Sequence, residues 1–400
     1  MDAFEVLRAR GFLQQCSHED EVRAALAGDE PIRFYIGFDP TGPSLHVGNL
    51  MQLMVMSWLQ RSGHHPVALI GGGTAMIGDP SGKTELRPLL DRETIAAHAE
   101  VFRDQIGHFV ALDGARGTVV DNADWLLDLK LVPFLRDIGR QFSVNRMLAA
   151  EAYKQRLQRG LSFLEFNYQI FQAYDFLELH RTHGVALQIG GDDQWGNILA
   201  GVELVRRVCQ SRAWALTTPL ITTSTGAKMG KTASGAVWLH PEMLSPFDYW
   251  QYWYNVDDQD VGRFLRLYTF LSLEEIGPLE ALTGARIRQA KRALATECTR
   301  LLHGEDAAAA AAAGAEAMVA DASSRDLPSH SIEAATALLV VLADAGLAKS
   351  RGAARRLVSQ GGVRIDGKKI SDPDTPVVPG PSGVVVRVGK RRAIRVVLES

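Results

Sequence analysis

The chain has 400 residues, 46% of them hydrophobic, with a formal net charge of −3. That length exceeds one comfortable core and supplies enough apolar surface to fill two or three globular domains. The start, MDAFEVLRAR, carries acidic residues and lacks a signal peptide's apolar stretch, and the most apolar run, Leu50 to Leu59, is too short to span a bilayer, so a cytoplasmic protein with no membrane partner is expected.

The three cysteines, Cys16, Cys209 and Cys298, lie far apart with no C-x-x-C pair. They read as small buried hydrophobes, with neither a zinc site nor a disulfide framework. Charge is unevenly spread: residues 349–400 hold 12 Lys+Arg and 4 Asp+Glu, a balance of +8, on a body of balance −11. Such a basic module points to a polyanion, with a solvated charged surface as the plainer alternative.

From Arg33 to Ile198 short apolar runs alternate with helical stretches, as in an α/β fold with a mostly parallel sheet. The strands Ile32–Phe38, Val67–Ile70 and Val185–Ile189 are each followed by glycines, and in open α/β sheets ligands bind beyond the carboxyl ends of strands. Residues 91–161 read as a largely helical insertion between two halves of the sheet and a candidate dimer face.

After the loop at Lys228–Lys231, residues 247–320 read as helical and end in seven alanines, Ala307 to Ala313. Residues 321–331 read as a linker. The tail combines a helix over Ala335–Ala345, a second over SRGAARRLVSQ, and two strand segments with turns at Asp366–Gly367 and Gly389–Lys390. Arg351 and Arg355 fall four apart with Arg356 beside them, so their guanidinium groups share a helical face suited to phosphates.

Four segments carry the chemistry. In Tyr35-Ile-Gly37-Phe-Asp39-Pro-Thr41-Gly-Pro-Ser-Leu-His46-Val-Gly48-Asn49 a strand ends in a turn and opens a helix. Gly48 lets a nucleotide approach the backbone, the helix end favours its phosphates, and His46 can donate to the α-phosphate. The second, Gly71 to Arg87, resembles a phosphate loop loosely, because Ile77 stands where the Walker A spacing demands glycine. Lys83 and Arg87 in it are placed to meet a leaving pyrophosphate, or else pair with acids at the surface.

The third segment places Tyr168, Gln172 and Asp175 at i, i+4 and i+7, one face of an otherwise apolar helix. A helix that greasy is buried, so its polar stripe faces a polar cavity. Gln188, ahead of Gly190-Gly191-Asp192-Asp193-Gln194-Trp195, reaches the same cavity, with the glycines against a ribose or adenine. The fourth, Ala227-Lys228-Met-Gly230-Lys231-Thr232, is a two-lysine loop that would be unremarkable alone.

Together these segments resemble the class I aminoacyl-tRNA synthetases, within them the bacterial and organellar tyrosine enzymes. His46–Asn49 matches the HIGH signature, Lys228–Thr232 is similar to KMSKS, Gly190–Asn197 resembles GGSDQWGN, and the tail resembles an S4-type RNA-binding domain. The resemblance implies an α/β fold: a Rossmann-like catalytic domain over 1–220 with the insertion at about 91–161, and a signature loop and connector over 221–246. An α-helical anticodon domain over 247–320, the linker at 321–331 and an S4-like domain over 332–400 would follow.

The resemblance further implies that the substrate phenol lies between Tyr35 and Asp175, and its ammonium among Asp79, Tyr168 and Gln172 with Gln188 nearby. ATP would meet Gly37, Asp39, His46, Gly48, Asn49, Gly191, Asp193, Gln194 and Lys231. Thr41 and His46 would stabilise the transferring group, and Lys83, Arg87, Lys228 and Lys231 the departing phosphates. Mg²⁺ is expected with ATP and no zinc. The expected partners are L-tyrosine, tRNA(Tyr) through Arg351, Arg355 and Arg356, and a second copy of the chain in a homodimer.

Three departures stand out: Asn49 replaces the second histidine of HIGH, Gly230 and Thr232 replace the serines of KMSKS, and Ala75 stands where the family often has glycine. The tryptophan enzymes are the near alternative, expected to lack the Tyr35 and Asp175 pair and the tail. A nucleotidyltransferase of another kind, or an RNA-binding protein that has lost activity, would have no need of the intact lysine loop and carboxylates.

Overall fold

A computed structural model describes residues 2–81, 90–149, 153, 157, 160–224, 226, 229–232, 235–320, 327–380, 383–389 and 392–399, the side chains of 231, 232, 235 and 317–320 excepted. Its contacts divide the chain into two compact units. One comprises Met1–Ser245 with Tyr252–His303, the other Pro246–Gln251 with Gly304–Ser400.

The first unit is built on six strands: β1 (Gln15–Cys16), β2 (Arg33–Phe38), β3 (His65–Ile70), β4 (Thr118–Asp121), β5 (Val185–Gly191) and β6 (Trp214–Thr218). Their order is β1-β6-β5-β2-β3-β4. All neighbours are parallel except β1, which runs antiparallel to β6. The chain steps outward from β2 through β3 to β4, then returns to lay β5 on the other flank of β2. The connections therefore diverge between β2 and β5, where such sheets open a ligand crevice.

Burial of β3 at every position after His65 fits a strand with both faces covered, which is why its sequence reads as a continuous apolar run. The expected strands thus form, one residue later at Arg33, two residues earlier at His65, and two residues longer at Gly191.

The stretch 91–161 is not simply helical. After the helix Arg92–Gly107 comes β4, paired in parallel with β3. Its Thr-Val-Val core is too short for a helical period and suits an edge strand. It gives the sheet a fourth carboxyl end, at Asp121 and Asn122.

The helical segment expected over 247–320 does not form one domain. It divides at Gly304, whose φ of +86° ends the helix Ile287–His303 before Glu305–Ala320 begins. Tyr252–His303 belong with the α/β unit. The helix Val261–Tyr268 packs on the helices Ala3–Arg10 and Leu50–Arg61. Buried Arg10 donates to the carbonyls of Arg266, Thr269 and Leu271 and stacks on Trp58 at 3.9 Å, so the last turn of that helix is capped by a side chain from the first.

In the second unit the alanine tract is helical within Glu305–Ala320, as expected. A five-stranded sheet follows, in the order Lys368–Ile370, Val363–Ile365, Val384–Val388, Arg392–Leu398, Ser329–Ile332. The helices Leu338–Asp344 and Arg351–Ser359 cover it, with Leu338, Val341, Leu342, Ala354 and Val358 in its core. Asp366 and Gly367 both have positive φ, 44° and 77°, the conformation of a two-residue hairpin turn. The expected linker is partly structured: 321–326 lie outside the described residues, but Ser329–Ile332 pairs in parallel with Arg395–Leu398.

Candidate active site

The crevice between β2 and β5 opens into a cavity of about 670 Å³ in the first unit. Cross-strand register puts Tyr35 beside Gln188, so both side chains leave the sheet together and line the cavity. Tyr35 is 1% exposed, and its ring meets Phe176 edge-on at 5.3 Å. Among the described residues, the Tyr35 hydroxyl and the Oε1 atoms of Gln172 and Gln188 are buried without a hydrogen-bond partner. Each such orphan costs about 1–3 kcal/mol, so three around one cavity describe a ligand's polar groups in negative.

The opposite wall is the helix Phe163–His183. Ser162 caps it, accepting from the Glu165 amide while the Glu165 carboxylate reaches back to the Ser162 amide. Tyr168, Gln172 and Asp175 line the cavity along one face, as their spacing predicts. Asp175 accepts from Asn122 Nδ2 at 2.9 Å and from Trp125 Nε1 at 2.8 Å. Burial pushes its carboxyl up to about 8, with Asn122 and Trp125 opposing and Asp39 and Asp121 reinforcing the shift. Burial, then Asp175, raises the Tyr35 hydroxyl well above the usual phenol range, so it stays a donor at neutral pH.

Asn122 links two carboxylates: its Nδ2 also donates to Thr74 Oγ1 at 2.9 Å, and that hydroxyl donates to Asp39 Oδ1 at 2.8 Å. The Tyr168 hydroxyl donates to Asp39 Oδ2 at 2.7 Å. Asp39, expected at the nucleotide, is thus bound into the network around Tyr168. Asp79 accepts from the Ser81 amide at 2.9 Å and from Gln194 Nε2 at 2.7 Å. Sequence reasoning passed over Asn122, Trp125 and Thr74. The β-branched run before Asp121-Asn122, alike in kind to the other strand ends, was the available signal.

At the other end, His46 and Asn49 close a reciprocal turn. Gly48 N donates to His46 Nδ1 at 3.0 Å, and His46 N donates to Asn49 Oδ1 at 3.1 Å. With Nδ1 accepting, the neutral ring carries its proton on Nε2, where it can donate to a ligand. Asn49 therefore spends its carbonyl on the turn that starts the helix Leu50–Arg61, leaving Nδ2 as the part able to meet a nucleotide. A Cβ at Gly48 would lie 2.6 Å from the His46 ring. Gly230 has φ +81°, and a Cβ there would lie 3.0 Å from Gly48 N, which accounts for glycine where KMSKS has serine. Ala75 is buried; nothing in the structure explains its standing in place of glycine.

Gly37, Thr41, Gly191, Asp193 and Gln194 also line the cavity. Lys83, Arg87 and Lys228 lie outside the described residues, as does the side chain of Lys231, whose backbone pairs with Ala236. In the second unit Arg351, Arg355 and Arg356 are exposed on one helix, with Arg355 3.6 Å from Asp374.

The chain matches the family of tRNA synthetases class I (W and Y) over residues 27–320 and the S4 domain over residues 338–380. It is 45% identical over 405 residues to a tyrosine-tRNA ligase of Clostridium kluyveri, covering 100% of both chains. It is 46% identical over 408 residues to one of Clostridium botulinum, again with 100% of both covered. Among solved structures it is similar to a C-terminally truncated mitochondrial tyrosyl-tRNA synthetase of Aspergillus nidulans, with a TM-score of 0.71, 30% identity, and 79% of this chain and 93% of that one covered.

Proposed function

The chain belongs to the class I tRNA synthetases of the tryptophan and tyrosine family, and from that premise we propose that it activates L-tyrosine with ATP and transfers the tyrosyl group to the 3′ end of tRNA(Tyr). The observation that carries tyrosine is the buried Tyr35 hydroxyl without a partner beside Asp175, at the closed end of the cavity. A phenol placed there accepts from Tyr35 and donates to Asp175. Phenylalanine would leave the Tyr35 hydroxyl unsatisfied and give Asp175 no donor beyond Asn122 and Trp125.

The substrate ammonium sits near Tyr168, Asp79 and the open Oε1 acceptors of Gln172 and Gln188, which points its carboxylate toward His46. A carboxylate oxygen attacks the α-phosphorus, the bond to the bridging oxygen of the β-phosphate breaks, and pyrophosphate leaves with the electron pair. No enzyme nucleophile takes part, so catalysis rests on orientation and on donors placed where charge develops. The Nε2 proton of His46, with Thr41, serves the transferring phosphate. Gly37, Gly48, Asn49, Gly191, Asp193 and Gln194 cradle the nucleoside, and Lys83, Arg87, Lys228 and Lys231 neutralise the pyrophosphate.

Magnesium enters as the ATP complex. The phosphates carry it to the site, as magnesium is usually bound through substrate phosphates and one or two carboxylates. Transfer RNA is met by the basic residues 349–400 of the second unit, through Arg351, Arg355 and Arg356, and by helices between Val261 and His303. The enzyme works in the cytoplasm, where these substrates are; among the described residues no helix is long and apolar enough to cross a membrane. It acts as a homodimer, a reading supported by the exposed apolar residues Leu131, Val132, Val144 and Phe163, 57–81% accessible.

Amino-acid-dependent exchange of labelled pyrophosphate into ATP, without tRNA, tests this reading. Exchange with tyrosine and not with phenylalanine or tryptophan is expected. Exchange with tryptophan, or none, would overturn it.

A further inference from the structure

The two residues between the lysines of the signature loop are held from both sides. On one side Gly230 packs against Gly48, Val237 N donates to the Gly230 carbonyl at 2.9 Å, and Val47 N donates to the Val237 carbonyl at 2.9 Å. The loop is thereby tied to the turn that carries His46.

On the other side lie residues outside the cavity that the chemistry above does not use. Asp260 is 3% exposed, an expensive place for a carboxylate. Its Oδ2 accepts from Ser224 N at 2.9 Å and Ser224 Oγ at 3.0 Å, at the start of the same loop. Arg263 donates to Asp260 Oδ1 at 2.7 Å and to the Thr222 carbonyl at 2.6 Å. The buried Tyr268 hydroxyl donates to Met229 Sδ at 3.3 Å, and the Gly230 backbone hydrogen-bonds the Tyr252 hydroxyl. Met229 itself is 6% exposed, seated as an apolar anchor directly after Lys228 and one residue before Gly230.

A surface loop that needed only to be covered would not recruit a buried carboxylate and a buried phenol. We propose that Asp260 and Tyr268 are positioning residues for adenylate formation: they seat the Thr222–Gly230 loop so that Lys228 and Lys231 meet the departing pyrophosphate. This rests on the role given above to those lysines.

The test is a double-mutant cycle read by single-turnover adenylate formation, with thermal unfolding as the check on folding. Tyr268→Phe removes one hydroxyl and should slow the step about 3- to 10-fold. Asp260→Asn loses a charge-assisted pair and should slow it about 10-fold or more. Tyrosine KM should not move in either variant. In a background with both Lys228→Ala and Lys231→Ala, Tyr268→Phe should have less than about a 2-fold effect, because the groups it positions are gone. If Tyr268→Phe costs as much without the two lysines as with them, raises tyrosine KM in step with the lost rate, or costs nothing in the wild-type background, the positioning role is overturned while the lysine assignment stands. A fully active double lysine variant would instead remove the lysine assignment, and the seat's purpose with it.

Discussion

The two ends of the cavity are made in different ways. At the end proposed for the amino acid, side chains that follow β2, β3 and β4, with one from the helix Phe163–His183, form a largely buried network from Asp39 through Thr74 and Asn122 to Asp175, each member fixed by a neighbour. At the end proposed for the nucleotide the described determinants are backbone amides and glycines without room for a Cβ around His46. The first arrangement selects, because an ill-fitting ligand leaves buried groups unpaired. The second suits charge that exists only in passing, because donors held by the backbone are already in place when it develops.

The largest effect that would sharpen this division is expected from Asp175→Ala. It removes the phenol's acceptor and orphans Asn122 and Trp125, so kcat/KM for tyrosine in pyrophosphate exchange should fall about 100-fold or more, with KM for ATP little changed. Gly48→Ala should do the reverse. A Cβ 2.6 Å from the His46 ring forces the turn open, and adenylate formation should slow about 10- to 100-fold while tyrosine binding, followed by equilibrium dialysis, is retained. A comparable loss of tyrosine binding in Gly48→Ala would break the separation between the two ends.

Tyr35→Phe should act in opposite directions on the empty and filled protein. It deletes a buried hydroxyl that has no partner, so the unliganded chain should gain about 1 kcal/mol in thermal unfolding, while tyrosine KM rises about 5- to 10-fold. A further effect is read as a pH slope. In the folded, empty protein the Asp175 carboxyl is pushed up to about 8, whereas in the unfolded chain it titrates near about 4. The folded state then holds a proton that the unfolded state has released, so this group's contribution to stability falls as pH rises from about 4 to about 8 and is level above. Comparing Asp175→Asn with the parent by denaturant unfolding across that window should show the parent losing stability more steeply.

What the sequence made legible follows the same division. The nucleotide end is written in contiguous segments, so the strand, turn and helix of Tyr35–Asn49 could be read directly, as could the polar stripe of Tyr168, Gln172 and Asp175. Asn122 and Trp125 reach Asp175 from some 50 positions away, across a strand hidden in a helical stretch, and no local pattern announces such a meeting. The division at Gly304 was equally hidden. Tyr252–His303 join the α/β unit through the packing of Val261–Tyr268 and through the Arg10 cap, which joins residues more than 250 apart in sequence. Gly230 looked like a lost hydroxyl, and only its backbone conformation and its contact with Gly48 explain why glycine stands there.

The most direct test is the ratio of kcat/KM for tyrosine to that for phenylalanine, measured by pyrophosphate exchange in the parent and in Asp175→Ala. A high ratio that collapses in the variant, chiefly through loss of the tyrosine reaction, is the outcome expected if the buried pair of Tyr35 and Asp175 reads the phenol. A ratio that survives the loss of Asp175 would mean that selection lies elsewhere in the cavity.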